Sequence, residues 1–157
     1  MNITTICIGK TDEKAIEKLL QKYENRLPLH INYQRIEIPD IKNRKNLSEI
    51  QQKQKEAEQI LAKIINTDFV IILDEKGKQP TSKQFADDIQ NYMNQSVKNL
   101  VFVIGGPYGF SEAVYRKADE LLSLSKMTFS HQMVRMIFAE QIYRAMTIMK
   151  GEPYHHE

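Results

Sequence analysis

The residues with the greatest chemical capacity lie in the last third of this chain. Two loops come first: Gly105-Gly106-Pro107-Tyr108-Gly109, and the polar run Ser123-Leu124-Ser125-Lys126-Met127-Thr128-Phe129-Ser130. An end region dense in cationic and polar groups follows, with Arg135, Arg144, Lys150, Tyr154, His155 and His156. Gly105 and Gly106 remove side chains where a flat ring or a sugar could approach the backbone closely. Together with the cations behind them, such loops suit a site that holds an anionic polymer and acts on a base.

Other chemistries find no support in residue type and spacing. The glycine loop fits neither the dinucleotide fingerprint nor the Walker A pattern, because no Lys-Ser/Thr follows at the needed place. His131 stands alone and His155-His156 lie at the tail, which is no clustered metal-ligand set, so no metal is expected. Ser123, Ser125 and Ser130 lack a Gly-x-Ser-x-Gly elbow. Cys7, between Ile6 and Ile8, has no partner for an internal disulfide and reads as a small buried strand residue.

The elements that must position the loops are strand ends. Leu100-Val101-Phe102-Val103-Ile104 is too continuously apolar for a strand with one wet face and reads as a buried parallel strand emptying into the glycine loop. A second apolar burst, residues 121–125, empties into the loop around Lys126. Ligands of open α/β sheets bind outside the carboxyl ends of strands, where neighbouring loops diverge. Upstream, residues 2–8 form a β-rich run ending at Gly9-Lys10, and Thr11 or Asp12 is expected to cap a helix over about 13–26. Pro28 stops that helix. Residues 31–38 alternate more and predict a strand nearer the sheet edge.

A long helix is expected from Leu47-Ser48, with Ile50, Ala57, Ile60, Leu61 and Ile64 as its apolar stripe. The basic residues Lys42, Arg44, Lys45, Lys53 and Lys55 read as a solvated face rather than an RNA-facing patch. Residues 69–73 form the next buried strand, closed by Asp74-Glu75-Lys76-Gly77-Lys78. Thr81 or Ser82 caps a helix running to about residue 94, with Phe85, Ile89 and Met93 inward. The alternation of strands and helices predicts an α/β domain with a mostly parallel sheet and helices on both faces. The last helix, about 131–149, is apolar nearly all round and must be buried on more than one side. Its second side is expected to be another subunit.

With 157 residues, 41% hydrophobic and 27% charged, the chain suits a single domain, residues 1–157, with a real core. No segment approaches a membrane span, no secretory signal is evident, and the cytoplasm is the expected location. A net charge of +2 does not by itself announce a nucleic-acid binder.

Several motifs in order carry a resemblance over essentially the whole chain. They are Ile-Leu-Asp-Glu-Lys-Gly-Lys at 72–78, Phe-Val-Ile-Gly-Gly-Pro-Tyr-Gly at 102–109, Leu-Ser-Leu-Ser-Lys-Met-Thr-Phe-Ser-His-Gln-Met-Val-Arg at 122–135, Glu-Gln-Ile-Tyr-Arg-Ala at 140–145, and the Pro-Tyr-His-His end. The sequence resembles the ribosomal RNA large subunit methyltransferase H family, a small branch of the SPOUT, or α/β-knot, methyltransferases. One departure is Ser130, where the family carries proline.

The resemblance implies a homodimer with a C-terminal deep trefoil knot and S-adenosyl-L-methionine bound in the knot loops. It implies transfer of a methyl group to N3 of a pseudouridine in 23S rRNA, with the assembled ribosome as substrate and neither DNA nor membrane as partner. Matching positions assign the cofactor site to Leu73, Gly105, Leu124, Ser125, Lys126, Met127, Thr128 and Phe129. Leu73, Leu124 and Met127 supply apolar walls for adenine, and the 125–129 backbone supplies hydrogen bonds. His155 or Tyr154 is expected to assist loss of the N3 proton, while Arg135 or Arg144 holds a phosphate or carbonyl oxygen. A non-catalytic ribosome-assembly or RNA-binding protein of the same fold, and a nucleotide-binding regulator of the flavodoxin type, are the competing classes. Titration with S-adenosylmethionine separates both from the enzyme.

Overall fold

The structure is a computed structural model that describes residues 1–156. The elements run β1 (Asn2–Ile8), α1 (Lys14–Glu24), β2 (Asn32–Ile38), a 3-10 turn (Arg44–Asn46), α2 (Glu49–Leu61), β3 (Asp68–Lys78), α3 (Ser82–Asn94), β4 (Asn99–Ile104), α4 (Glu112–Lys117), β5 (Glu120–Leu122) and α5 (His131–Met149). The strands form one sheet in the order β2-β1-β4-β3-β5, with every pairing parallel. Continuously apolar β4 lies at the centre, and the more alternating β2 lies at an edge, as its pattern requires.

The pleat sends alternate residues to opposite faces. On one face Ile3, Cys7, Ile71, Leu100, Phe102 and Ile104 pack with Phe85 and Ile89 of α3 and Phe138 and Ile142 of α5. On the other, Ile6, Ile8, Val70, Ile72, Val101 and Val103 pack with Ala57 and Ile60 of α2 and Val114 of α4. The rings of Phe102 and Phe138 meet edge-on at 4.8 Å. Phe138 is fully buried, so its truncation to alanine would cost about 3–5 kcal/mol.

Ser48 and Thr81 cap α2 and α3, each in a reciprocal capping box with the Gln three residues on. At α1 the expectation fails: the cap position is Glu13, with no side-chain bond. The Thr11 hydroxyl instead donates to Glu37 Oε1 (2.5 Å) and accepts from Arg35 and Arg135. Tertiary partners outbid the local helix end.

Two further expectations are corrected, and one is extended. Ile50 is 65% exposed, and α2 buries Gln52 and Glu56 beside Ala57 and Ile60. On α3 Met93 packs half-buried against the core as expected, and Tyr92 joins the inward set, bonded through its hydroxyl to Glu120 (3.0 Å). β3 does not end at Leu73. It runs on to Lys78, and both Leu73 and Lys78 pair with Leu122, so the residues between them arch away from the sheet. Gly77 is indispensable to that arch, since a Cβ there would stand 2.5 Å from the Leu122 backbone.

α5 keeps its expected bounds. Much of its apolar girth is covered within the protomer, by α3 on one side and by Ile16 and Leu20 of α1 on another. What stays outside is smaller than expected: Met133 is 40% exposed, and Val134, Met136 and Ile137 are half-buried.

Candidate functional site

β4 and β5 end level with Leu73 of β3, which is in register with Ile104 on one side and Leu122 on the other. Beyond that level opens a cleft of about 980 Å³, the size of a small-molecule site. All eight residues expected to hold a cofactor line it: Leu73, Gly105, Leu124, Ser125, Lys126, Met127, Thr128 and Phe129. They come from three segments separated by tens of residues.

The loop after β5 is shaped by its own serines. Ser123 Oγ donates to the Ser125 carbonyl (3.1 Å), the Met127 amide donates to Ser125 Oγ (2.9 Å), and Ser130 Oγ accepts from the Met133 amide (3.2 Å). Ser130 is therefore the N-cap of α5, a role that proline could not fill with a side-chain acceptor.

The opposite wall is braced by residues that sequence pattern did not single out. A Cβ on Gly105 would touch the Phe110 ring at 3.0 Å, so the glycine lets that ring pack under the loop. Phe110 stacks edge-on against Tyr115 (6.1 Å, 82°). The Tyr115 hydroxyl donates to Asp74 Oδ2 (2.5 Å), and the Lys76 ammonium lies 5.9 Å from the Tyr115 ring centre. Burial first, and then the Asp74 carboxylate, push the Tyr115 phenol up to about 12. α4 thereby holds the β3 arch in place. The cleft carries both signs of charge, with Lys53, Lys76 and Lys126 against Asp74, Glu75 and Glu112. Lys53, expected on a solvated face, lines it from α2.

The residues expected to do chemistry do not line this cleft. Arg144, Tyr154 and His155 gather around Glu140, whose Oε1 accepts from Arg144 Nη2 (2.5 Å), Arg144 Nε (3.0 Å) and the Tyr154 hydroxyl (3.0 Å). Arg144 Nη1 lies 3.2 Å from His155 Nδ1, which must accept because a guanidinium only donates. The guanidinium also covers the Tyr154 ring at 4.7 Å. Burial and the neighbouring Tyr23 and Glu140 raise the Tyr154 phenol above its ordinary range.

Arg135 lies apart from both groups. Its side chain is 1% exposed, with Nη2 donating to the Ile8 carbonyl (2.5 Å) and Nη1 to Thr11 (2.9 Å). It ties α5 to the end of β1 and faces no open site. Beside it, Arg35 clamps Glu17 (2.7 Å), Glu24 (2.7 Å) and Glu37, and the Arg35 hydrogen bond holds the Glu17 carboxyl below its usual range.

A buried carboxylate stands behind the cleft wall. Glu56 on α2 stands behind Gly106, with its two oxygens 2.7 and 2.9 Å from where a Cβ on that glycine would be. Gln52 Nε2 donates to it (2.9 Å). Among the described residues there is no group of His, Cys, Asp and Glu arranged to hold a metal, and no helix long and apolar enough to cross a membrane.

The family model described as "Predicted SPOUT methyltransferase" matches residues 1–155. The chain belongs to the SPOUT methyltransferase family. It is also 58% identical over 156 residues to the ribosomal RNA large subunit methyltransferase H of Christiangramia forsetii, covering 99% of both chains. The proteins of that name from Flavobacterium johnsoniae and Porphyromonas gingivalis (strain ATCC 33277) are 57% and 45% identical to it over the full length of each. The cleft of this family member combines apolar side chains, Leu73 and Leu124 among them, with charged groups and the 125–129 loop, a mixed lining of the kind that fits a small ligand with a flat ring and polar edges.

Proposed function

We propose that this chain is an S-adenosylmethionine-dependent methyltransferase of large-subunit ribosomal RNA, acting on N3 of a pseudouridine in the assembled ribosome. The observation that carries the reading is the convergence of Leu73, Gly105 and residues 124–129 on one cleft in a chain of the SPOUT methyltransferase family. When bound, the cofactor supplies an electrophilic methyl group. The chain must then orient that donor against the base, exclude water and help N3 lose its proton.

Orientation falls to the cleft walls, where the Gly105 backbone, backed by the Phe110 ring, lines one side and the 125–129 segment supplies hydrogen-bonding groups on the other. Proton transfer falls to the tail. Tyr154 is a poor base while its phenol is raised and its hydroxyl donates to Glu140. His155 is the better base, once its Nδ1 lone pair is released from Arg144. Arg144, freed by the same step, is then available to a carbonyl or phosphate oxygen.

The reading includes a homodimer and a knotted C-terminal half. Exposed Met133 and half-buried Val134, Met136 and Ile137 on α5 support a second copy against that helix, because methionine-rich surfaces adapt to such contacts. The run of β3 past Leu122, with Gly77 against its backbone, supports threaded connections there. A net charge of +2 leaves little for gripping free RNA, which favours an assembled particle as substrate.

Titration calorimetry with S-adenosylmethionine, followed by mass spectrometry of rRNA from ribosomes incubated with the protein, tests the reading. Binding and one added methyl on a large-subunit pseudouridine are expected. Absence of either removes it.

A further inference from the structure

Glu56 is a buried carboxylate that the mechanism above does not use. It is 3% exposed and sits on α2 behind the glycine wall of the cleft, where only the missing side chain of Gly106 makes room for it. Gln52, itself buried, satisfies one oxygen. Among the described residues no cation forms an ion pair with it. Arg44, the cation whose field reaches it, is exposed and bonded to Asp40 at 3.5 Å. A buried charge without a counter-ion is costly, and that cost falls when a cation arrives nearby.

We propose that Glu56 determines charge specificity at the cleft, its carboxylate favouring a cationic sulfonium donor over the neutral thioether left after methyl transfer. The proposal rests on the reading of the cleft as an S-adenosylmethionine site. The Gly105-Gly106 wall is thin because it has no side chains, so the field of the carboxylate crosses it with little intervening water to screen it. Burial also pushes the Glu56 carboxyl above its usual range, as expected where the charged form lacks compensation. The consequence is directional: the donor is held more tightly than the spent product, which helps the product leave. Glu56 is a positioning residue, acting through the field behind Gly106 and touching no ligand.

The test is calorimetric and needs no turnover. Wild type, Glu56→Gln and Glu56→Asp are titrated with S-adenosylmethionine, with S-adenosylhomocysteine, and with sinefungin, whose amine keeps the positive charge. Glu56→Gln keeps the shape and the Gln52 contact, and thermal melting checks that it folds. Its affinity for the two cationic ligands should fall by about fivefold while that for S-adenosylhomocysteine stays level. Glu56→Asp should preserve the wild-type ratio. An equal change for all three ligands, as a packing defect would give, overturns the proposal, and so does an unchanged ratio. If wild type binds none of the three, the cofactor reading of the cleft falls and takes this proposal with it. If wild type binds and the ratio does not move, only this proposal falls.

Discussion

At the strand ends, eight residues from three segments face one cleft, while at the tail Arg144, Tyr154 and His155 crowd around a single carboxylate, Glu140. The cleft is braced from behind by Phe110 and Tyr115, its loop is shaped by the bonds of Ser123 and Ser125, and the 124–129 segment lines the opening. The tail does the reverse: its charged and polar groups satisfy one another. A pre-shaped cleft should bind its ligand at little cost in reorganisation. A self-satisfied tail must exchange partners before it acts.

The sharpest way to break the comparison is Gly77→Ala. A Cβ 2.5 Å from the Leu122 backbone cannot be absorbed by a side-chain shift, so a loss of about 3 kcal/mol or more is expected by urea unfolding, with the cleft lost alongside the fold. Next comes Gly105→Ala, where the Phe110 ring must yield a few tenths of an ångström. Affinity for S-adenosylmethionine should drop by about tenfold with a stability loss of about 1 kcal/mol, read by calorimetry and melting.

Glu140→Gln tests the tail. Removing the shared carboxylate should cost about 1 kcal/mol, leave cofactor affinity within about twofold, and change the single-turnover methylation rate on unmodified ribosomes. A loss of cofactor affinity instead would mean that the two regions are not independent. Tyr115→Phe is the mildest change, about 1 kcal/mol from the lost bond to Asp74. The wild-type phenol has its pKa raised from near 10 to about 12 in the folded state, so its contribution is complete below pH 10 and disappears as pH climbs to about 12. Denaturant midpoints measured across that window should converge for wild type and variant.

Much of this was legible where one period governs a segment. β1, β4 and α5 have the expected bounds because an unbroken apolar run or an all-round apolar helix admits few placements. The lining of the strand-end cleft was legible through the loop motifs and through the rule that strand ends face ligands. What escaped depended on partners far along the chain. Thr11 has every local credential of a cap and spends its hydroxyl on Glu37. Arg135 belongs by type with the tail cations, yet the Ile8 carbonyl lies within its reach and takes it. Ile50 fits the apolar stripe but, in the first turn of α2, is 65% exposed. Tyr115 and Phe110, on and before a helix of six residues, carry no periodic signal at all.

The length of α5 has a consequence for where chemistry happens. Its first residue, His131, lines the cleft, and Glu140, the anchor of the tail, follows at 1.5 Å per residue, roughly 14 Å up the axis. A hydrogen-bonded helix is a ruler that does not shorten. The aromatic and imidazole groups at the chain end are thus parked at a fixed remove from their own opening, and they meet a base there only by letting go of that anchor or by being lent from a neighbouring molecule.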